Sequence, residues 1–173
     1  MIELPEARVL AKQVNETATG RRIKKVMAAK NPHKFAWYYG DPKDYPGLLA
    51  GKVIGTAASY GGLVEIAASN AILLFGDGAT LQFYEKGEKL PHKHQLWIEF
   101  EDGSSLVSSV HMYGGIWAFP ADIFDNKYYR ISKEKVSPLT DSFDKTYFKS
   151  LFDEKTDKLS LKAFLATEQR IPD

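Results

Sequence analysis

The sequence predicts a mainly β protein, an eight-strand antiparallel β-sandwich behind an N-terminal helix, followed by the start of a helical module. Three observations carry this. An apolar stripe at helical spacing runs from Ala7 to Ala18. Short apolar segments separated by turn dipeptides fill residues 51–119. Beyond Pro120 the pattern changes to helix-start signals.

Leu4-Pro5-Glu6 reads as a helix start, because proline is tolerated in the first turn and Glu6 suits the positive end of the helix dipole. Ala7, Leu10, Ala11, Val14 and Ala18 form the apolar stripe of a helix over residues 5–18, packed on the sandwich through Leu10 and Val14. Gly20 ends it. Residues 22–28 read as a strand, residues 31–45 as an aromatic, turn-rich stretch, and residues 45–50 as a short helix. Further strands are expected over residues 53–59, 63–68, 71–75, 79–84, 95–101, 105–111 and 115–119. Ser69-Asn70 and Asp102-Gly103 mark tight turns, and Gly76-Asp77-Gly78 reads as another turn. Gly61-Gly62 and Gly114-Gly115 mark bulges or close backbone approach. So many short antiparallel strands must stack or close, and two packed sheets are the natural solution. Residues 122–129 read as a loop, with helices following over residues 142–152 and 161–168. The organisation expected is a sandwich domain over residues 1–130 and a truncated helical module over residues 131–173.

Composition narrows the function classes. The 173 residues are 44% hydrophobic and 26% charged, ordinary for a globular protein with a real core. The absence of cysteine excludes disulfides and thiolate zinc sites. No apolar run is long enough for a membrane span and no signal pattern opens the chain, so a cytoplasmic protein without a membrane partner is expected. The net charge of +1 lacks the basic excess usual in DNA-binding proteins.

The opening Met1-Ile2-Glu3-Leu4-Pro5-Glu6 resembles that of the formamidopyrimidine-DNA glycosylase and endonuclease VIII (Fpg/Nei) family of base-excision repair, which begins Met-Pro-Glu-Leu-Pro-Glu. Helix, sandwich and paired helices follow in the family's order. Ser137-Pro138-Leu139, and Leu161-Lys162-Ala163-Phe164-Leu165 with Gln169, resemble the start of its helix–two-turn–helix module. The resemblance implies removal of damaged bases from DNA, with abasic-site lyase chemistry. In that scheme an N-terminal amine forms an iminium with the opened sugar.

The departures fall on the chemistry. Ile2 stands where the family has the proline whose secondary amine is the nucleophile, and a bulky second residue is expected to block removal of the initiator Met. Any free amine then sits on Met1, primary and one residue further out. Ser59-Tyr60-Gly61-Gly62 lies where the family carries a lysine in Arg-Gly-Lys-Tyr. Leu74-Phe75-Gly76-Asp77 replaces His-Leu-Gly-Met, whose Met wedges into the duplex. Met112-Tyr113-Gly114-Gly115 replaces Arg-Arg-Phe-Gly. The phosphate-gripping turn, the second helix and the zinc finger do not follow, so a natural truncation or a fragment is expected, with no cofactor in this chain.

The candidate catalytic residues are therefore Glu3, Glu6 and Met1. Glu3 matches the general acid/base position and equally suits a helix N-terminus. Glu6, in the first turn, suits dipole pairing. Candidate nucleic-acid contacts are His33 and Lys34, beside Phe35, Trp37, Tyr38 and Tyr39; Lys93 and His94 in the basic segment 86–94; and Met112 and Tyr113, which could stack on bases. Packing under a loop is the competing reading for the aromatics, and solvation for the basic segment. His92 and His94 are spaced for one face of a strand but lack a carboxylate or cysteine beside them, so no metal site is expected. The expected function is an impaired glycosylase homologue whose partner, damaged double-stranded DNA, is bound weakly. A catalytically inactive DNA-binding or scaffold protein, or a fold adapted to a small molecule or partner through the aromatics of residues 31–45, are the other readings.

Overall fold

The structure, a computed structural model, describes residues 2–168, 170 and 171. The chain divides into two compact units, Met1–Phe124 and Asp125–Asp173.

In the first unit, α1 (Leu4–Thr17) is followed by β1 (Ile23–Ala28), β2 (Ala36–Trp37), α2 (Tyr45–Leu49) and β3 (Ile54–Tyr60). Next come β4 (Leu63–Ala68), β5 (Ala71–Ala79), β6 (Gln82–Tyr84), β7 (Leu96–Phe100), β8 (Ser105–Ser108) and β9 (Val110–Pro120). They form a four-stranded sheet in the order β1-β7-β8-β6 and a five-stranded sheet in the order β2-β9-β5-β4-β3. Ile23, Val26, Ile98 and Phe100 of the first sheet join Ile66, Leu73, Phe75 and Ile116 of the second in one continuous buried core. The two-sheet fold with a leading helix is the one the strand count demanded.

Helix α1 buries Ala7, Ala11 and Val14, and Ala18 just beyond it. Small residues on that face bring the helix close enough for Asn15 to bridge to β3. Its side-chain amide donates to the Ala57 carbonyl and its oxygen accepts from the Ala57 N–H, both at 2.8 Å. The pair sits where the β3–β4 register slips between Ile54 and Ala57, so Asn15 satisfies backbone groups the ladder leaves over. Leu10 differs from expectation. It is partly buried at the flank of the stripe and borders cavities on either side.

Several strand assignments are corrected. There are nine strands among the described residues, because the two-residue β2 runs parallel to β9. The stretch expected as strands 105–111 and 115–119 divides instead at Ser109, giving a short β8 and one long β9. The expected strand 79–84 shrinks to β6, with Ala79 belonging to β5. Asp77 lies inside β5 rather than in a turn. His92 and His94 lie in the connection before β7, off any strand.

The second unit carries α3 (Lys127–Glu134), α4 (Lys145–Ser150) and α5 (Leu161–Thr167). Asn126, Asp144 and Ser160 cap them by accepting from the N–H groups of Tyr129, Tyr147 and Ala163. Residues 122–126 form the expected loop, and α3 takes residues 127–129 of the stretch, with Asn126 as its cap. Phe164 is buried against Phe152, the rings stacked with centroids 4.6 Å apart. Arg170 closes the unit by donating to the Leu151 carbonyl and the Glu168 carboxylate, each at 2.6 Å. No helix among the described residues is long and apolar enough to cross a membrane.

Candidate functional site

The start of the chain is fixed from both sides. The Ile2 side chain is 7% exposed and belongs to the core, and its backbone N–H donates to the Asp77 carbonyl. Glu3 is the N-cap of α1, and its N–H donates to the Glu6 carboxylate at 3.1 Å in a capping box. Both carboxylates are exposed, and each engages the first turn of the helix. The Met1 amine lies outside the described residues, as does Gln169.

Beside this N-terminus is a mainly apolar cavity of about 670 Å³, lined among others by Ile2, Val9, Leu81, Met112 and Tyr113. Its acidic groups are Glu6 and Asp77; Glu3 is not among the lining residues. Asp77 has a left-handed backbone (φ 57°), and burial raises its carboxyl above the usual carboxylate range.

The cause of that distortion is a bulge. Asp77 pairs with Gly114 and Ala79 with Val110, so Gly78 alone faces His111, Met112 and Tyr113. These three residues, two more than the opposite strand has, are pushed out of the ladder and stand exposed. Glycine is required where the strands cross most closely: a Cβ on Gly78 would strike the Tyr113 carbonyl oxygen, and one on Gly114 would lie 2.6 Å from the Ala79 nitrogen.

The same bulge gathers two clusters far apart in sequence. Strand β2 pairs Ala36 with Gly114 and Trp37 with Gly115, and the Gly114 N–H donates to the Phe35 carbonyl at 3.0 Å. Trp37 and Tyr113 thereby meet, ring centroids 5.8 Å apart. Lys34 reaches over Phe35 at 5.3 Å, and His33 meets the same ring edge-on. Phe35, Trp37, Met112 and Tyr113 all expose more than a third of their surface, forming a ridge with basic groups beside it. The aromatics of this segment thus divide. Tyr38 and Tyr39 turn inward, against Tyr45 and Phe119, whereas Phe35 and Trp37 face outward.

A second cavity, of about 810 Å³, includes His33, Lys93 and His111 in its lining. His94 is not in it. It is half-buried, with a ring nitrogen 3.1 Å from the Pro91 carbonyl and its backbone N–H donating to the Asn31 side-chain oxygen. The structure therefore brings His33, Lys34, Met112 and Tyr113 together, with Lys93 across the groove, and leaves His94 supporting the loop. Among the described residues no group of three or more His, Asp or Glu side chains could hold a metal ion. Asp77 was missed as part of the site because glycines on either side make it look like a surface turn; β2 was missed because two residues carry no periodicity.

No protein-family model matches the sequence. No curated protein matches it either. Solved structures match the fold. A structure of MutM in complex with DNA containing carbocyclic 8-oxo-G aligns with a TM-score of 0.75 over 98% of this chain at 18% identity. The Lactococcus lactis Fpg bound to abasic-site DNA aligns with 0.76 at 18%. A second structure of the Lactococcus lactis formamido-pyrimidine DNA glycosylase, non-covalently bound to AP-site DNA, gives 0.75 at 17% identity. This chain spans 61–64% of the length of those proteins.

Proposed function

We propose that this chain is a divergent member of the Fpg/Nei group that binds DNA in base-excision repair and is impaired in, or has lost, its glycosylase and lyase chemistry. The fold shared with DNA-bound glycosylases supports the DNA part of the reading. The observation that carries the impairment is the setting of Ile2. A nucleophile at this position needs a basic amine free to attack. Here the nitrogen is an amide whose N–H is committed to the Asp77 carbonyl, and the side chain fills the core.

The neighbouring groups support the same reading. Glu3 and Glu6 are retained but stand in a capping box, an arrangement that stabilises α1 without any reaction. Where the family has a lysine, Tyr60-Gly61-Gly62 makes the tight β3–β4 turn, with Gly61 left-handed at φ 58°. Where the family has a wedging Met, Asp77 brings a charge that repels phosphate. Glu3 is the candidate acid or base for any residual turnover, with the Met1 amine as candidate nucleophile.

Borohydride trapping on an abasic-site oligonucleotide tests the chemistry, since only an amine that forms an imine is captured. No covalent adduct is expected from the unmodified chain; robust trapping would overturn the impairment. Duplex binding is expected in the non-specific range of about 10⁻⁴–10⁻⁶ M, given the net charge of +1. Nanomolar duplex affinity at physiological salt would contradict it.

A further inference from the structure

We propose that the nucleic acid this protein takes is an unpaired strand, with bases stacked on the Trp37–Tyr113 ridge and phosphates in the groove beside it; this rests on the nucleic-acid reading above. The ridge is built for faces rather than for insertion. Trp37 and Tyr113 lie at 35° to one another with 5.8 Å between centroids, and 45% and 36% of their surfaces are open. Phe35, 48% exposed, extends the surface, and Met112, 73% exposed, flanks it with a polarizable side chain. Aromatic faces bind bases of any sequence, but within a duplex those base faces are already covered by their stacked neighbours.

The charges decide where the backbone lies. The apolar cavity, lined by Met112 and Tyr113, also carries Glu6 and Asp77, which repel phosphate. The second cavity has no Asp or Glu among its described lining residues. It offers Lys93, His33 and His111, with the hydroxyls of Tyr84, Ser109 and Thr80. His111 and Thr80 border both cavities, so one strand crossing there would face its bases to the ridge and its phosphates to the groove.

The overall charge favours the same substrate. Duplex binding is led by neutralising phosphates on two strands, and its affinity falls with salt at about 0.9 per phosphate contacted, against about 0.7 for a single strand. A chain with a net charge of +1 and few cations beside the ridge is poorly equipped for the first. Stacking supplies affinity that needs no excess of charge.

Fluorescence anisotropy with a labelled oligothymidine of about 12 nucleotides, against a duplex of the same length, tests the inference at low and physiological salt. The single strand is expected to bind at least about tenfold more tightly than the duplex, with Trp37→Ala and Tyr113→Ala each weakening it about five- to a hundredfold. Trp37→Phe should keep most of the affinity, and Lys93→Gln should reduce the salt slope by about 0.7. Circular dichroism of the variants checks that the fold is intact. Equal or tighter duplex binding, or a Trp37→Ala variant that binds the single strand as before, overturns the inference and leaves the DNA reading standing. Binding of neither form overturns both.

Discussion

The backbone N–H of Ile2 donates to the carbonyl of Asp77, tying Ile2 to the position of β5 beside the bulge. Ile2 is thus an anchor for the start of α1. Its side chain lies in the core, at the edge of an open cavity. Ile2→Ala should cost about 2 kcal/mol, the lower end of the range for such truncations, because the site can relax toward the cavity. Urea denaturation measures it, and a change below about 0.5 kcal/mol would show that the anchor is not structural.

Asp77 itself gives a pH-dependent prediction. Burial raises its carboxyl pKa, so its ionised form is disfavoured in the folded state. The parent therefore loses stability from this group as pH rises from its ordinary carboxyl value of 3.8 through its raised folded value. Asn accepts the left-handed backbone equally well and stays neutral. Asp77→Asn should be more stable than the parent at pH 7, and the difference should vanish near pH 3. A difference independent of pH would rule out the carboxylate as its source.

Asn15 should be among the costlier polar residues to remove. Two of its hydrogen bonds go to the part-buried backbone of Ala57, beside a longer one accepted from the Thr19 hydroxyl, so Asn15→Ala leaves a backbone donor and acceptor without that partner. Each such loss costs about 1–3 kcal/mol. Asn15→Asp should be no better at neutral pH, because it sets a carboxylate oxygen against the Ala57 carbonyl. Thermal unfolding of the two variants decides the order.

Much of the sandwich could be read from sequence because burial on one face imposes alternation, as in β4, where Leu63, Val64, Ile66 and Ala68 are buried. Turn chemistry at Ser69-Asn70 and Asp102-Gly103 fixed two hairpins, β4–β5 and β7–β8. What escaped is non-local. Nothing in Ala36-Trp37 announces that it pairs with Gly114-Gly115, so the two aromatic clusters were legible only as separate features. The bulge at Gly78 breaks the period, which made one strand, β9, look like the ends of two.

Leu10 shows the limit of periodicity in another way. Its spacing places it on the apolar stripe, yet the residues sealed against the sheet are Ala7, Ala11 and Val14. Leu10→Ala should cost about 1–2 kcal/mol, below the 2–5 kcal/mol of a fully buried leucine. Ala11→Leu should cost about as much or more, by overpacking the face that holds Asn15 against β3. Chemical denaturation of both variants tests this, and a tolerated Ala11→Leu would show that α1 is not close-packed there.

Under the proposed impairment, Ile2→Pro has two opposite consequences that depend on Met1. While Met1 remains, Ile2→Pro removes the N–H that bonds Asp77 and leaves a tertiary amide, so such a molecule should be both less stable and unreactive. Once Met1 is removed, the same substitution exposes a secondary amine next to Glu3, with a pKa near ~8 and a proton again available to the Asp77 carbonyl. Intact-mass measurement separates the two species. Members of a catalytic unit act non-additively, so one restored residue rarely restores the rate. On the proposed relationship, Tyr60-Gly61 and Met112-Tyr113 also stand where the family has a lysine and an arginine pair. The processed Ile2→Pro protein should therefore give weak borohydride trapping at most, and Ile2→Pro with Glu3→Gln should turn over less still. If that double variant turns over abasic DNA as fast as Ile2→Pro alone, Glu3 serves only as the cap of α1 and has no acid/base role.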